Sequence, residues 1–281
     1  MIVQERNQVI NRPHKRPIVY DLFFNSKIKN APLIIFCHGY KGFKDWGAWN
    51  LWAEVFASKG IAFLKFNFSH NGGTVAQPVD FPDLEAFAEN NYSKELDDLS
   101  CVIDWVHKTY QTNSVIDVHT IVLIGHSRGG GIVTIKASED IRIKKLITLA
   151  GVSDYKSRFP KGEALRQWQK EGVYHVENKR TGQLMPHNFQ FYQDLLMHEE
   201  RLNIEQAARN CTIPHLIIHG DADEAVSIEE AKHLHAWSST SIFRRIEGGN
   251  HVFGAKHPWT NSDSPPEMAE ICTEILDFIN N

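Results

Sequence analysis

One stretch of this chain, residues 120–131, constrains its fold more than any other. It reads Thr-Ile-Val-Leu-Ile-Gly-His-Ser-Arg-Gly-Gly-Gly, an apolar, β-branched run that ends in a glycine-rich turn, and a helix-compatible stretch follows at 132–138. Such runs favour buried strands, and Gly-x-Ser-x-Gly between a strand and a helix is typical of a sharp turn with the serine at its tip. Gly125 and Gly129, two residues to either side of Ser127, leave room for close backbone approach. The pattern therefore predicts a strand-turn-helix unit with Ser127 at a helix N-terminus.

Ser127 would meet several requirements of a nucleophile at this position. The unpaired backbone N–H groups at a helix N-terminus, together with the helix dipole, favour negative charge that develops nearby. A serine hydroxyl reacts when a base removes its proton, and the base in turn needs an acid to orient it. The alternative is a glycine-rich turn that contains a serine by chance, and the strand and helix on either side argue against it.

Chain order narrows the search for the base and the acid, because fifteen histidines make any single one uninformative. An apolar strand over residues 214–219 runs into the acidic turn Gly-Asp-Ala-Asp at 220–223, and a second strand over 241–246 is followed closely by His251. An open parallel sheet places its reacting groups just beyond the carboxyl ends of its strands. We therefore predict His251 as the general base and expect the acid to follow one of the strands.

The order serine, acid, histidine along the chain resembles that of the α/β-hydrolase superfamily. A second signature of that family lies upstream, where the apolar strand at 33–37 ends in His-Gly-Tyr. The resemblance covers the chain from near Tyr20 to its last helix, apart from one insertion. It implies an α/β fold with a mostly parallel central sheet, helices on both faces and an inserted lid. It also implies an oxyanion hole formed by the backbone N–H groups of Tyr40 and Arg128, which would stabilise charge that appears in the transition state.

Three aspartates remain candidates for the acid of the site. Members of the superfamily usually carry Gly-x-x-Asp at the turn after this strand, so the resemblance favours Asp223. Asp221 fits the role of a turn former, because aspartate side chains readily bond backbone N–H groups in loops. Asp154, which follows the strand at 145–150, stays open because some branches of the superfamily take their acid from that neighbourhood. With the serine and the histidine named above, Asp223 completes the predicted catalytic residues.

Strands and helices alternate along the rest of the chain, which predicts a mostly parallel sheet covered on both faces. Two early strands are expected at 17–24 and 32–36, the first of them antiparallel at the sheet edge. An amphipathic helix is expected over 92–110, with Ser93 as a candidate for its N-cap. These elements belong to a single large α/β domain.

One interval breaks this alternation. About sixty residues separate two consecutive strands of the predicted sheet, against roughly a dozen or more for a plain crossover. We therefore divide the chain into an α/β-hydrolase core, residues 1–151 and 211–281, and an inserted lid or cap segment, residues 152–210. Within the insertion we expect a hairpin over 172–185 and helix over 188–210.

Aromatic residues gather on both sides of the predicted site, Phe43 and Trp46 after the oxyanion turn and Trp168 and Tyr174 in the lid. They are candidates for a substrate pocket that binds an apolar or aromatic group, although an aromatic residue taken singly is more often part of a core. Three basic residues are also expected near the site, Lys41, Lys44 and Arg128. They are candidates for attracting a carboxylate-bearing substrate, and the alternative is that they are solvated surface groups.

Composition argues against several classes of protein. A formal net charge of −4 gives no reason to expect binding to nucleic acid or to an anionic membrane, and no apolar run approaches the roughly 18 residues that span a bilayer. The four cysteines lack the spacing of a metal site and are expected as reduced thiols of a cytoplasmic protein. The N-terminal segment lacks the features of a secretory signal, which agrees with that location. The predicted chemistry needs no metal and no organic cofactor, and nothing in the sequence favours one oligomeric state.

Together these features predict a serine hydrolase that cleaves a small-molecule carboxylic ester with an apolar or aromatic moiety through an acyl-enzyme intermediate. The lidded layout is similar to that of dienelactone-hydrolase-like and cinnamoyl-esterase-like members of the superfamily. Three other activities stay open. A thioesterase would use the same groups, and an oligopeptide or aminoacyl peptidase would need an anchor for the substrate amine, for which Glu199 and Glu200 are candidates. A ligand-sensing protein would keep the fold with slow turnover.

Overall fold

The computed structural model describes residues 1–112 and 114–281, and its centre is a sheet of eight strands. These strands are β1 (Ile2–Ile10), β2 (Ile18–Asn25), β3 (Ala31–Cys37), β4 (Ala62–Phe66), β5 (Ile116–His126), β6 (Ile143–Leu149), β9 (His215–Gly220) and β10 (Ser241–Ile246). Their order across the sheet is β1-β2-β4-β3-β5-β6-β9-β10. Neighbours pair in parallel from β4 to β10, whereas β2 is antiparallel to both β1 and β4. The predicted α/β fold with a mostly parallel sheet is confirmed.

Helices cover both faces of the sheet. They are α1 (Trp49–Ser58), α2 (Leu84–Ala88), α3 (Tyr92–Tyr110), α4 (Arg128–Glu139), α5 (Glu163–Glu171), α6 (Gln190–Met197), α7 (Ile204–Asn210), α8 (Ile228–Trp237) and α9 (Pro266–Asn280). Side chains of β3 alternate between the two faces, since Leu33 and Ile35 join a core with α3, α4, α7 and α8, while Ile34 and Phe36 join a core with α1 and α9. Across the described ranges, no helix combines the length and the apolar character needed to cross a bilayer.

The edge of the sheet differs from the prediction, which placed its first strand at 17–24. β1 forms that edge, and β2 lies between β1 and β4 with most of its residues buried. β1 carries the polar residues Gln4, Glu5, Arg6 and Gln8 and is largely exposed. Its sequence therefore lacks the apolar run that marks a buried strand, which is why the pattern did not predict it.

The helix predicted over residues 92–110 is confirmed as α3, but its cap is a different residue. The side chain of Asn91 accepts a hydrogen bond from the backbone N–H of Lys94 at 2.9 Å. Ser93 lies inside the first turn of the helix. Asparagine and serine serve equally well at this position, so only the backbone geometry decides which of them acts.

The segment between β6 and β9 contains helix α5, a hairpin of β7 (Val173–Glu177) and β8 (Leu184–Asn188), and helices α6 and α7. The hairpin pairs antiparallel, as predicted. The stretch at 188–210, predicted as helical, contains the two helices α6 and α7, and its first residue, Asn188, ends β8. The second of these, α7, packs against helix α4, and its residues Ile204 and Ala208 are buried.

Candidate active site

Ser127 occupies the turn between β5 and α4 in a strained conformation. Its backbone has φ +55° and ψ −119°, in the left-handed region that non-glycine residues rarely adopt, and such strain costs about 1–3 kcal/mol. A Cβ atom on Gly125 would lie 2.3 Å from the carbonyl oxygen of Gly129, and one on Gly129 would lie 2.5 Å from the carbonyl oxygen of Cys37. Neither glycine could therefore carry a side chain without displacing the backbone around Ser127.

The structure brings Ser127, His251 and Asp223 into one hydrogen-bonded line. The Nε2 atom of His251 lies 3.0 Å from Ser127 Oγ, and Nδ1 of the same ring lies 2.8 Å from Asp223 Oδ2. Asp223 follows the end of β9 by three residues, and His251 follows the end of β10 by five. All three side chains thus meet beyond the carboxyl ends of parallel strands, where the topology of the sheet places ligand sites.

The surroundings of Asp223 hold its carboxyl group in the ionised form. Its Oδ1 accepts the backbone N–H groups of Ala225 and Val226 at 2.8 and 2.9 Å, and its Oδ2 also faces Nε2 of His219 at 3.3 Å. Burial by itself raises the pKa of Asp223, but the hydrogen bonds from His219, His251 and Val226 outweigh burial and bring the pKa below its usual range. The negative charge can therefore orient and stabilise a protonated His251 ring.

The two other aspartates considered from the sequence have local roles. Asp221 Oδ1 accepts the backbone N–H of Gly248 at 2.7 Å, which ties the turn after β9 to the turn after β10. Asp154 accepts the N–H groups of Lys156 and Ser157 at 2.8 and 3.1 Å in an exposed turn. The carboxylate bonded to His251 is that of Asp223.

Two buried histidines, His38 and His126, support the site without facing its serine. His38 bonds the carbonyl oxygen of Gly39 at 2.9 Å and the N–H of Phe68 at 3.3 Å, and burial lowers its pKa to about 4. His126 donates from Nε2 to the carbonyl oxygen of His251 at 2.8 Å, and burial lowers its pKa to about 3. These rings stay neutral near pH 7, and His126 fixes the backbone of the loop that carries His251.

The two backbone positions implied for an oxyanion hole border Ser127. Tyr40 belongs to the turn after β3, and a Cβ atom on its neighbour Gly39 would lie 2.8 Å from the Cβ of Ser127. Arg128 is the first residue of α4. Tyr40, Ser127, Arg128 and His251 all line one cavity.

This cavity has a volume of about 740 Å³, and most of its lining residues come from the segment between β6 and β9. Trp168 and Tyr174, both predicted as pocket residues, line it. Phe191, another aromatic residue of the inserted segment that the sequence suggests for the pocket, also lines it, and so do Tyr92, Tyr155 and Phe159, which the sequence did not single out. Their signal was weak because aromatic residues at helix and loop positions are more often core residues.

The prediction that Phe43 and Trp46 line the pocket is wrong. Phe43 is fully buried, where its ring packs edge-on against His257 with the centroids 4.9 Å apart. Trp46 stacks on the ring of His257 with the centroids 6.1 Å apart. The cavity lining includes Lys41 but neither of these rings, which complete apolar clusters instead.

Of the three basic residues expected near the site, Lys41 and Arg128 line the cavity and Lys44 does not. Lys44 is fully buried, with its Nζ 2.7 Å from Asp21 and 2.5 Å from Asp45. Glu199, a candidate anchor for a substrate amine, pairs with Lys156 on the surface and lies outside the cavity lining. In the described part of the chain, no cluster of three His, Cys, Asp or Glu side chains is placed to hold a metal ion.

Solved structures with a similar fold exist, although their sequences are distant from this one. No protein-family model matches the sequence. No curated protein matches it either. The structure is similar to that of Est1E from Butyrivibrio proteoclasticus with ferulic acid bound, at 20% identity over 94% of each chain with a TM-score of 0.69. It is also similar to the esterase domain of a Rhodothermus marinus protein (18% identity, 99% of this chain, 97% of the other, TM-score 0.65) and to mouse alpha/beta hydrolase domain-containing protein 10 (18% identity, 97% of this chain, 98% of the other, TM-score 0.67).

Proposed function

From its α/β-hydrolase fold and the arrangement of Ser127, His251 and Asp223, we propose that this chain is a serine hydrolase that cleaves small carboxylic esters. The fold alone hosts many activities, so the proposal rests on the site. The observation that carries it is the line of contacts from Ser127 Oγ through both nitrogens of the His251 ring to Asp223, at 3.0 and 2.8 Å. These distances lie within the range in which a nucleophile and its base exchange a proton.

The first half-reaction transfers the acyl group to the enzyme. Ser127 Oγ bonds to the ester carbonyl carbon while its proton passes to Nε2 of His251. The carboxylate of Asp223 accepts the Nδ1–H of His251 and stabilises the imidazolium. The bond between the carbonyl carbon and the alcohol oxygen then breaks, and His251 gives its proton to that oxygen.

The second half-reaction returns the enzyme to its starting state. A water molecule loses a proton to Nε2 of His251 as its oxygen attacks the acyl carbon. The bond between that carbon and Ser127 Oγ breaks, and the proton on His251 returns to the serine. The products are a carboxylic acid and an alcohol, so the atoms of one ester and one water are accounted for.

Both half-reactions develop negative charge on the carbonyl oxygen. We propose the backbone N–H groups of Tyr40 and Arg128 as its hydrogen-bond donors, since both residues border Ser127 at the cavity wall. The N-terminus of α4 points its dipole at the same place. A lost donor of this kind typically lowers the rate by about 10²–10³.

We further propose that residues 152–210 act as a lid that shapes the acyl or alcohol pocket. The segment supplies Phe159, Trp168 and Phe191 to the cavity wall, which favours an apolar or aromatic substrate group. It is tied to the oxyanion turn, because Nε2 of His187 lies 2.7 Å from the hydroxyl of Tyr40. Ferulic acid, an aromatic acid, occupies the similar structure Est1E.

The test is hydrolysis of a series of p-nitrophenyl esters, from acetyl to long acyl groups with one aryl acyl member. We expect turnover by the wild type and a loss of about 10⁶ in kcat for Ser127→Ala, as for removal of other catalytic serines. Ser138→Ala is a matched control, because Ser138 lies on the same helix and bonds only the backbone carbonyl of Ile135 among the described residues. A folded wild-type protein without turnover across the series would contradict the proposal.

A further inference from the structure

The charges around the cavity beside Ser127 have one sign. Lys41, Arg128 and Arg158 line it, and its lining contains no aspartate or glutamate among the residues that the structure describes. A cavity with low-dielectric walls concentrates the potential of such charges. An anionic ligand would be attracted to this cavity, and a cationic one would be repelled from it.

Arg128 is the least satisfied of the three cations. Its side chain is 14% exposed, and its guanidinium lies over the rings of Tyr40, Phe191 and Tyr92, at 4.5, 5.1 and 5.3 Å from their centroids. A guanidinium has five N–H donors. In the described part of the chain its one side-chain hydrogen bond is a long one, 3.3 Å from Nη1 to Oε1 of Glu95.

Glu95 accepts one hydrogen bond from Arg128 and leaves the other side-chain donors of Arg128 available. The carboxyl group of Glu95 is buried outside the cavity lining, and its Oε1 is shared with the side-chain amide of Asn90 at 2.7 Å. The contact with Arg128 is therefore not the paired, two-bond contact that an arginine and a carboxylate prefer. Arg128 lines the cavity, and its remaining side-chain N–H groups have no hydrogen-bond acceptor among the described residues.

The other two cations are engaged or more mobile. Arg158 forms an ion pair with Glu230 and donates to the carbonyl oxygen of Ala225 at 3.3 Å. Lys41 reaches the carbonyl oxygen of Glu177 at 3.4 Å with a flexible side chain. Arg128 is thus the cation that is both held in place and able to accept a ligand.

We propose that Arg128 binds a carboxylate of the substrate, so that the preferred substrates are esters that carry a second, unreacted carboxylate group. This inference rests on the proposed function. The bound carboxylate keeps all of its atoms, and water replaces the alcohol at the ester carbon alone. The planar guanidinium matches the two oxygens of a carboxylate, and the surrounding rings shield the contact from water.

The test compares two esters of one shape. Mono-p-nitrophenyl glutarate carries a free carboxylate, and in methyl p-nitrophenyl glutarate the same group is methylated and neutral. We expect the wild type to prefer the anionic ester by about 10-fold or more in kcat/KM, which is the usual effect of a charge-assisted hydrogen bond. The ratio of the two values within one variant is the readout, because it cancels any general loss of activity.

Arg128→Gln is expected to lower this ratio by about 10-fold or more, and Arg128→Lys is expected to give an intermediate value because it keeps the charge but loses the fork. The double variant Arg128→Gln/Glu95→Gln guards against misfolding, since it leaves no buried carboxylate without a partner. Arg158→Gln is the matched control, since Arg158 lines the same cavity but is already paired. An unchanged ratio in the Arg128 variants, or an equal fall in Arg158→Gln, would overturn the assignment.

A binding measurement separates this inference from the proposed function. Calorimetry with monomethyl glutarate and dimethyl glutarate on Ser127→Ala compares the anionic and neutral ligands without turnover. If Ser127→Ala binds the anion preferentially through Arg128 and the wild type hydrolyses neither nitrophenyl ester, the subsite is supported and the hydrolase is rejected. Hydrolysis of both nitrophenyl esters at equal rates would reject the subsite and leave the hydrolase standing.

Discussion

Replacement of Lys65 by methionine is expected to destabilise the protein strongly. Lys65 Nζ lies 2.5 Å from Asp21 and 2.6 Å from Asp45, and Lys44 bridges the same two aspartates at 2.7 and 2.5 Å. The side chains of Lys65, Lys44 and Asp21 are 0% exposed. The four charges form a closed ring that joins β2, β4 and the loop after the oxyanion turn, with Arg6 at its margin at 3.6 Å from Asp21.

The size of the effect follows from the charge that is left behind. Methionine fills the space of the lysine stem, so the substitution leaves no large cavity. The loss of stability therefore comes from carboxylates that no longer have Lys65 as their partner. Removal of one partner of a buried ion pair costs about 3–5 kcal/mol, because the other charge stays in the interior without compensation. Lys44 and Arg6 still face the two aspartates, which favours the lower part of that range. At about 3–4 kcal/mol and about 2 °C per kcal/mol for a chain of this size, Tm should fall by about 6–8 °C.

The measurement is the free energy of unfolding in urea, together with Tm, for the wild type and Lys65→Met. Lys232→Met is the control, since Lys232 pairs with Glu229 at the surface with both side chains more than half exposed. The free energy of unfolding of Lys232→Met should stay within about 0.5 kcal/mol of the wild-type value. Lys65→Met/Asp45→Asn removes one charge of each sign and should recover part of the loss. A change below about 1 kcal/mol in Lys65→Met would refute the reasoning from uncompensated buried charge.

Three further predictions concern the site and its support. Asp223→Asn should lower kcat by about 10⁴ in the ester assay, whereas Asp221→Asn should leave kcat within a few-fold of wild type; equal losses would show that the acid is misassigned. Gly125→Ala should yield little folded protein by circular dichroism and size-exclusion chromatography, since its Cβ would lie 2.3 Å from the carbonyl oxygen of Gly129, and a normally stable variant would contradict this steric argument. Burial raises the pKa of Asp45, but the ammonium groups beside it lower the pKa by more, to below its usual range. The stability that Asp45 contributes is therefore fully present above its unfolded pKa of about 4 and is lost as pH falls, so Asp45→Asn should flatten the fall in unfolding free energy between about pH 5 and pH 3, and an unchanged slope would count against this.

Elements with strong local patterns could be predicted from the sequence. The β-branched run before Ser127 and the glycines around it define a strand, a turn and a helix, and the structure has β5 and α4 there. The apolar stripe of α3 was likewise sufficient to predict that helix, and the turn between β7 and β8 was sufficient to predict the hairpin. Each of these signals depends on residues within a few positions of one another, where backbone preference and periodicity act directly. β1 lacked such a signal because its polar residues face solvent.

The pocket could not be read from the sequence in the same way. Phe43 and Trp46 are close to Tyr40 in the chain but pack around His257, whereas Tyr92 and Phe191, which are far from it, line the cavity. The direction of an aromatic side chain depends on which apolar surface lies nearest once the layers have assembled. That information is absent from the local pattern of hydrophobic residues.

The sequence by itself determined the alternation of strands and helices, the strained turn at Ser127 and the chain order of the three residues that meet there. Only the tertiary structure decided their distances, since Ser127 and His251 are 124 residues apart and meet at 3.0 Å because parallel strands end at one edge of the sheet. It also decided which cations face the cavity, placing Arg128 at its wall and Lys44 in a closed ring of buried charges. Local preferences fix the backbone of a turn, whereas the environment of a charged side chain is set by packing between elements distant in the chain.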